Sequence, residues 1–213
     1  MAPTSGSCAS RDSPIVLLTG YDLFRTYSTN SSKEVVEQLG KIGIDNIDLR
    51  TEIFPVEYAE VKRRSQELFE EHHPLLTIHC GMHSQARAVV LEQEARNSGY
   101  DAADVQGRLP ERNCCVSCPA PEFLSTGLNL EAIVSQVCKS ISVPVHISRD
   151  AGNYLCEFIY YCSLSRCRRT LFVHLPIISS EFTLECLVDA LKKIVIFAVA
   201  QCSRQSENSQ QTP

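Results

Sequence analysis

The sequence has 213 residues, of which 44% are hydrophobic and 21% are charged, a balance typical of folded globular proteins rather than disordered or fibrous ones. The net charge of −5 and the lack of a basic run beyond 166–169 argue against a nucleic-acid-binding surface. The first apolar run, 14–18, is too short for a signal peptide, and no run approaches the roughly 20 apolar residues of a membrane helix. We therefore expect a cytoplasmic protein with no nucleic-acid or membrane partner.

The two ends of the chain are small and polar in composition. Residues 1–13 predict a disordered lead-in, and residues 203–213 predict a disordered tail. The intervening residues 14–202 are long enough for one well-buried core, so we expect a single domain there.

The first half of this domain alternates between strand-like and helix-period segments. Apolar runs predict strands at 15–19, 48–54 and 75–80. A helix is predicted from about Ser31, because Ser31 and Glu34 have the spacing of a capping box. An amphipathic helix is predicted at 58–71.

The second half begins with a region that is harder to interpret. Residues 88–91 are apolar enough for a strand, whereas 99–119 mix turn residues without periodicity. Further segments are predicted as helices at 130–140, after Gly152 and at 183–200, and as strands at 143–147 and 170–174. Helices between apolar strands predict an α/β fold with a largely parallel sheet covered on both faces.

The chain contains an odd number of cysteines, eleven, without an export signal. A reducing compartment favours free thiols over a disulfide framework. One CxxC pair, Cys115 and Cys118, has no second pair at similar spacing, so we predict no metal site.

Three predicted strands carry a histidine at or near their carboxyl ends, where ligand sites form in open parallel sheets. These residues are His79, His146 and His174. A histidine at such a position acts either as a general base or as a hydrogen-bonded structural group. Strand position alone does not rank the three.

The stretch DAGNYLCEFIYY, residues 150–161, places a cysteine at the start of a helix. Leu155, Ile159 and Cys162 have the spacing of the core-facing stripe, and Cys156 lies off that stripe. With Asn153 as N-cap, Cys156 is the third helical residue, where free backbone N–H groups and the helix dipole favour a thiolate. The alternative is a second buried thiol, and the neighbouring Glu157 opposes thiolate formation.

The loop TGYDLFR after the first strand has one glycine, too few to cradle a phosphate. Tyr21 and Phe24 are either loop aromatics that cover the sheet edge or walls of a small apolar pocket. Glu92 follows an apolar run, and it is either a surface carboxylate or a site residue, with Glu94 as its rival.

Several motifs together resemble those of the pyroglutamyl peptidase I family of cytosolic cysteine peptidases. They are VLLTGYDLF with NSS, FPVEY, VVLEQ followed by Asn97, SRDAGNYLCEFIYY with Ser163-Leu164, and FVHLP. The resemblance runs from about Ile15 to Ala200, and GMHSQA and LEQ favour the vertebrate 1-like branch of the family.

This resemblance implies a three-layer α/β/α sandwich and a cysteine exopeptidase without cofactor or metal, whose substrates are peptides with an N-terminal pyroglutamate. Cys156 corresponds to the nucleophile, His174 to the general base and acid, and Glu92 to the residue that orients the histidine. The substrate-binding residues implied by the motifs are Tyr21, Phe24, Asn30, Tyr154 and Leu155. Apolar walls suit a flat, neutral lactam ring.

The pocket loop departs from the family pattern, which reads roughly GFxPFG. Leu23 replaces a proline and Arg25 a glycine, and both changes affect how the backbone presents Phe24. Tyr21 adds a hydroxyl to an apolar wall, which weakens binding unless it has a partner. Val105 follows Asp104 where the family has Asp-Asn. These departures motivate an alternative function, a weak or inactive relative that binds pyroglutamyl peptides or a protein.

Overall fold

The protein is described here by a computed structural model, which covers residues 13–24, 27–117 and 119–210, and the side chains of 206–210 are not described. The strands are β1 Ile15–Tyr21, β2 Asp48–Phe54, β3 Leu76–Met82, β4 Val89–Glu92, β5 Glu94–Arg96, β6 Phe123–Ser125, β7 Val145–Ser148 and β8 Thr170–Leu175. The α-helices are α1 Ser31–Ile42, α2 Tyr58–His72, α3 Leu130–Val137, α4 Leu155–Leu164 and α5 Leu184–Gln210. A 3₁₀ turn, Glu111–Asn113, lies within the aperiodic region.

Six strands form the central sheet in the order β2-β1-β3-β8-β4-β7. The pairs β1–β2, β1–β3, β3–β8 and β4–β7 are parallel, and only the β4–β8 pair is antiparallel. The carboxyl ends of β1, β3 and β8 therefore meet at one edge of the sheet, whereas β4 and β7 run in the opposite direction. The largely parallel sheet is confirmed, with a reversal at β4 that the sequence did not indicate.

Two hydrophobic cores cover the two faces of the sheet. One core packs α1, α3 and α5 against the sheet through residues such as Val35, Ile133 and Leu191. The other packs α2 and α4 against the opposite face through residues such as Val61 and Phe158. The sandwich of three layers is thereby confirmed. No helix in the described part of the chain is both long enough and apolar enough to cross a membrane.

Helix α1 begins where predicted, but its cap differs from the prediction. Asn30 is the N-cap, and its Oδ1 accepts hydrogen bonds from Ser32 N at 3.0 Å and Ser32 Oγ at 2.8 Å. Ser31 is already helical, so the predicted Ser31–Glu34 capping box is wrong. Asn30 takes the position because its side chain reaches two residues forward, as in other Asx turns.

Two further elements differ from the sequence-based expectation. The antiparallel pair β5–β6 was not predicted, because each strand has only three residues and pairs across a long loop. Helix α5 continues to Gln210, past the predicted end near Ala200 and into the segment 203–213 that was expected to be disordered. Glutamine, glutamate and arginine are good helix formers, and no glycine or proline interrupts the chain before Pro213.

Candidate active site

The turn before α4 is built by local polar contacts. Ser148 Oγ accepts from Asp150 N at 3.0 Å, and Asp150 Oδ1 accepts from Gly152 N at 3.1 Å. Gly152 has a φ of +91°, a conformation that residues with a Cβ rarely adopt. This turn directs the chain into a helix that starts over the carboxyl ends of β3 and β8.

The N-cap of α4 is Tyr154 rather than the predicted Asn153. The side chain of Asn153 turns elsewhere, and its Nδ2 donates to Asp101 Oδ1 at 3.4 Å. Cys156 is consequently the second helical residue instead of the third. It remains within the first turn, whose backbone N–H groups have no intrahelical partner.

Burial along α4 follows the predicted stripe. Leu155, Ile159 and Cys162 are buried, and Cys156 is partly exposed. The thiol of Cys162 interacts with the thiol of Cys115 inside the core, as expected for a buried structural cysteine. Cys156 is thus the partly exposed thiol at the start of the helix.

Glu92, His174 and Cys156 meet beside this helix start. Oε1 of Glu92 lies 2.8 Å from Nδ1 of His174, and both residues are almost completely buried. The Cys156 thiol interacts with the same imidazole. The three come from different elements, because Glu92 ends β4, His174 lies in the neighbouring strand β8 and Cys156 opens α4.

The electrostatics of His174 favour an imidazolium ion. Burial by itself lowers the pKa of His174, but the hydrogen bonds with Cys156 and Glu92 outweigh it and raise the pKa to about 9. A positive imidazolium between a carboxylate and a sulfur atom stabilises the sulfur as a thiolate. The arrangement is that of an activated cysteine nucleophile with an oriented base.

The other two histidine candidates lie in different environments. His79 is fully buried between Thr19 Oγ1, 2.7 Å from its Nδ1, and Ser163 Oγ, 2.8 Å from its Nε2. Burial and the Arg166 charge lower its pKa to about 3, so the ring is neutral and structural. His146 is exposed on β7, which runs opposite to β3 and β8, and its strand therefore ends at the other edge of the sheet.

The two other acidic residues near the site in the sequence, Glu94 and Glu157, lie in different environments from Glu92. Glu94 on β5 forms an ion pair with Arg149 at 3.6 Å and does not contact His174. Glu157 is buried, and its Oε1 accepts from Arg96 N at 3.2 Å. Burial raises the pKa of Glu157 to about 7, which reduces the opposition to thiolate formation that its sequence position suggested.

A small pocket opens directly beside Cys156. All five predicted substrate-binding residues line it, together with two others: Tyr21, Phe24, Asn30, Tyr154, Leu155, Val56 and Met82. The walls are mostly apolar side chains. A flat, neutral ring held there would present an exocyclic carbonyl to the Cys156 sulfur.

The hydroxyl of Tyr21 has a partner within the protein. It donates to the backbone O of Leu155 at 2.9 Å, and the tyrosine is buried. Burial, and then the proximity of Cys156, raise the pKa of Tyr21 well above 10, so the phenol stays protonated as a donor. The added hydroxyl therefore links β1 to α4 and does not leave an unpaired polar group in the pocket wall.

Asn30 contributes to the pocket mainly through the loop that carries Phe24. Besides capping α1, its Nδ2 donates to Asp22 O at 2.9 Å, and Asp22 forms an ion pair with Lys33 at 2.8 Å. Leu23 is exposed, and Arg25 lies outside the described residues. This end of the loop is thus tied to α1 by hydrogen bonds in place of the family proline.

A second loop, organised by Asp104, supports two residues of the pocket wall, Val56 and Tyr154. Asp104 Oδ2 accepts from Tyr58 N at 3.1 Å, at the first residue of α2, and its Oδ1 accepts from Gln106 N and Arg108 N. Val105 N donates to Val56 O at 3.2 Å, and Tyr154 OH donates to Ala103 O at 3.3 Å. Asp104 therefore holds the loop against both Val56 and Tyr154.

Sequence reasoning missed Gly81, which makes room for the nucleophile. A Cβ at this position would lie 2.8 Å from Cys156 Sγ and 2.9 Å from Phe172 Cζ, both closer than atoms can pack. A glycine at the end of a buried strand is a general signal for close approach of another group, and this was the available hint. Val56 and Met82 were missed as well, although Val56 lies within the quoted motif FPVEY.

The CxxC pair that was weighed as a metal site, and predicted not to be one, lies partly outside the described residues. Cys115 is buried, and Cys118 lies outside the described residues. Nine cysteines are described, all as free thiols, and no group of three or more metal-ligating side chains occurs among the residues placed by the structure.

A sheet sandwiched by helices, with a thiol, an imidazole and a carboxylate together beside an apolar pocket, defines the class of α/β cysteine hydrolases. The chain belongs to the pyroglutamyl peptidase family, whose sequence model matches residues 15–193. The family resemblance noted from the motifs is thereby confirmed.

The relatives of the chain agree with this assignment. It is 37% identical over 183 residues to rat pyroglutamyl-peptidase 1, covering 84% of this chain and 87% of the relative. It is 36% identical over 162 residues to the human pyroglutamyl-peptidase 1-like protein, covering 74% and 82%. Such similar identities do not separate the two branches, so the 1-like placement stays a prediction.

The fold is also shared with solved structures. Pyroglutamyl peptidase I from Bacillus amyloliquefaciens superimposes with a TM-score of 0.78 at 26% sequence identity, covering 88% of this chain and 97% of that one.

Proposed function

We propose that this chain is a cysteine exopeptidase that hydrolyses the amide bond after an N-terminal pyroglutamyl residue. One observation carries the proposal: the Cys156 sulfur lies between the His174–Glu92 pair and a mostly apolar pocket lined by Tyr21, Phe24 and Leu155. Membership of the pyroglutamyl peptidase family supports the same substrate. The reaction requires no cofactor.

In the first half of the reaction, the Cys156 thiolate attacks the carbonyl carbon of the bound pyroglutamyl residue. The backbone N–H groups at the start of α4 stabilise the oxyanion that forms. The carbon–nitrogen bond then breaks, and the His174 imidazolium gives its proton to the leaving amine. The product is a thioester on Cys156 and a peptide shortened by one residue.

In the second half, His174 is neutral and accepts a proton from a water molecule that attacks the thioester. The carbon–sulfur bond breaks, which releases pyroglutamate and restores the thiolate and the imidazolium. Glu92 accepts the hydrogen bond from Nδ1 of His174 and keeps Nε2 directed towards the sulfur.

Specificity follows from the pocket walls. The pyroglutamyl ring carries no ammonium group, so it enters an apolar slot without desolvating a charge, whereas an ordinary N-terminus must leave its charge unpaired there. The substrates are peptides with an N-terminal pyroglutamate. The nine described free thiols suit a reducing compartment, and we place the activity in the cytoplasm.

The proposal is tested by release of a fluorophore from a pyroglutamyl amide by the purified protein. We expect release by the wild type and none by Cys156→Ser. Alkylation with iodoacetamide, followed by mapping, should modify Cys156 faster than the other accessible thiols at neutral pH. A wild-type rate equal to that of Cys156→Ser, with uniform alkylation of exposed cysteines, would favour the alternative of a non-catalytic binding protein.

A further inference from the structure

His83 lies beside His174 and is not among the residues that line the pocket next to Cys156. It directly follows β3 and continues the pairing with β8, because its N–H donates to Leu175 O at 2.9 Å. Side chains alternate between faces along a strand, so His83 shares a face with Gly81, the residue that lies against the Cys156 sulfur. His83 therefore extends the same face of the sheet beyond the nucleophile.

The ring of His83 contacts the ring of His174. Their centroids are 5.5 Å apart and the rings are almost perpendicular, at 78°. His83 is exposed, and its ring nitrogens make no hydrogen bond with the residues that the structure describes. An imidazole with unused N–H capacity is thus available to a ligand beside the catalytic histidine.

The proposed reaction places the leaving residue at this position. His174 protonates the leaving nitrogen, so that nitrogen must lie within hydrogen-bond reach of the His174 ring. The pyroglutamyl ring fills the pocket on the Tyr21 side, and the residue that follows it has to extend in the other direction. Its α-carboxyl carbon is two bonds beyond the nitrogen, and the carboxyl carbon of an aspartate side chain is three bonds beyond it, so either group can reach His83.

We propose that His83 forms the subsite for the residue after pyroglutamate and favours a carboxylate there. This inference rests on the proposed function and assigns the leaving-group side of the same site. An imidazole N–H bonded to a carboxylate is a charge-assisted hydrogen bond, stronger than one to a neutral carbonyl. Two sources share this chemistry, the free α-carboxylate of a pyroglutamyl dipeptide and the side chain of an aspartate.

Two matched pairs of substrates distinguish these sources. Pyroglutamyl-alanine against pyroglutamyl-alaninamide tests the α-carboxylate. Pyroglutamyl-aspartic acid α-amide against pyroglutamyl-asparaginamide tests the side chain, because the α-carboxyl group is amidated in both. The measured quantity is the ratio of kcat/KM within each pair, because substitutions next to His174 also alter the absolute rates. The variants are His83→Ala, His83→Gln, which keeps an N–H donor, and His146→Ala as a control on an exposed histidine of β7.

We expect the wild type to favour the carboxylate member of at least one pair by about 10-fold, the range of a hydrogen bond to a charged group. His83→Ala should reduce that ratio to about 1, His83→Gln should retain part of it, and His146→Ala should keep it unchanged. Ratios near 1 in both pairs for the wild type, or an undiminished ratio in His83→Ala, would overturn the assignment.

A failure of the proposed peptidase function would give a different experimental result from a failure of the His83 subsite. A wild type that releases no fluorophore from a pyroglutamyl amide contradicts the peptidase activity but does not decide the role of His83. In that case, calorimetry with Cys156→Ser measures binding of the same substrate pairs, with and without His83→Ala. Equal affinities for the two members of each pair would then reject the subsite.

Discussion

Two histidines lie against helix α4, and their surroundings differ in one informative way. His174 lies between the Cys156 thiol and the Glu92 carboxylate, and His79 lies between the Ser163 and Thr19 hydroxyls. Both pairs follow from the same geometry, since Cys156 and Ser163 are seven residues apart on one face of α4 and the histidines lie on adjacent strands. A nucleophile-type residue, a histidine and a third partner thus occur twice.

The third partner and the exposure separate a reactive site from a structural one. Glu92 supplies a charge, so the pKa of His174 rises to about 9 despite burial, and the site opens onto a pocket. Thr19 supplies only a neutral hydroxyl, so burial together with the Arg166 charge lowers the pKa of His79 to about 3. Proximity of a histidine to a hydroxyl or thiol is therefore insufficient to make a nucleophile.

The largest effect is expected from replacing the α4 residue that contacts each histidine, which is Cys156 for His174 and Ser163 for His79. Cys156→Ala should lower kcat/KM for a pyroglutamyl amide by about 10⁴-fold or more, because the covalent step is lost. Ser163→Ala should leave kcat/KM within about 2-fold and lower stability by about 1–3 kcal/mol, because it leaves His79 without one partner. Activity assays and urea unfolding of both variants check this contrast. A Ser163→Ala enzyme as slow as Cys156→Ala would show that the two sets are not functionally distinct.

Glu92→Gln replaces the charged partner of His174 with a neutral one, so that His174, like His79, has only a neutral third partner. The amide can still accept the hydrogen bond from His174 but carries no charge, so kcat should fall by about 10²–10³-fold. The proton of His174 is needed for the leaving amine, so wild-type kcat/KM should decline as the pH rises through about 9. In Glu92→Gln this decline should begin at a lower pH. If kcat/KM declined over the same alkaline pH range in the wild type and in Glu92→Gln, the role assigned to the carboxylate would be contradicted.

Of the two histidine sites, only the one that contains Cys156 depends on a glycine, Gly81. Gly81→Ala would place a methyl group 2.8 Å from Cys156 Sγ, so the sulfur must move away from His174. We expect kcat to fall by about 100-fold, since small displacements of reacting groups are costly. Gly127→Ala is the control, because its methyl group would contact Arg168, away from Cys156. Normal kcat in Gly81→Ala would show that the sulfur has space in a productive position.

The two histidine sites were not separable from the sequence. In the sequence His79 and His174 both follow apolar runs. The partners that distinguish them, Thr19 and Glu92, lie 60 and 82 residues away in the chain. Local patterns carry no information on such contacts. Family motifs selected His174, and the structure brings it next to Cys156 and Glu92 for reasons of topology that the strand pattern alone did not contain.

Local features were predicted with mixed success for a related reason. The strands and helices around Cys156 were found because burial imposes periodicity on each of them. The caps at Asn30 and Tyr154 were each missed by one residue. At Asn30 neighbouring polar side chains compete for the same backbone groups, whereas Tyr154 makes no capping hydrogen bond through its side chain and left no signal in the sequence. The reversal at β4, which brings Glu92 beside β8, depends on strand pairing and left no local signal.

His79 and His174 should make the free energy of unfolding depend on pH in opposite directions. His79 has a lowered pKa, so its contribution is present above pH 6.5 and is lost as the pH falls below that value, by about 2 kcal/mol at pH 5. His174 has a raised pKa, so its contribution is present below pH 6.5 and is lost as the pH rises towards 9, by about 2 kcal/mol at pH 8. Urea unfolding from pH 4 to 10 measures both limbs.

The control for this measurement is His174→Gln, which should flatten the alkaline limb and leave the acid limb in place. An alkaline limb of unchanged slope in that variant would assign the loss of stability to other groups and contradict the raised pKa of His174.

The smallest effect is expected from changing Thr19, the neutral partner of His79. Thr19→Val keeps the shape of the side chain but removes the hydroxyl 2.7 Å from His79 Nδ1, in a fully buried setting. The loss of one buried hydrogen bond should lower stability by about 1–2 kcal/mol, while kcat/KM and its alkaline limb stay as in the wild type. Thr19→Ser is the matched variant, because it retains the hydroxyl and loses only a methyl group. If Thr19→Val instead shifted the pH profile of hydrolysis, His79 would be coupled to the reaction, and the contrast between a charged and a neutral third partner would no longer explain why one histidine is reactive and the other structural.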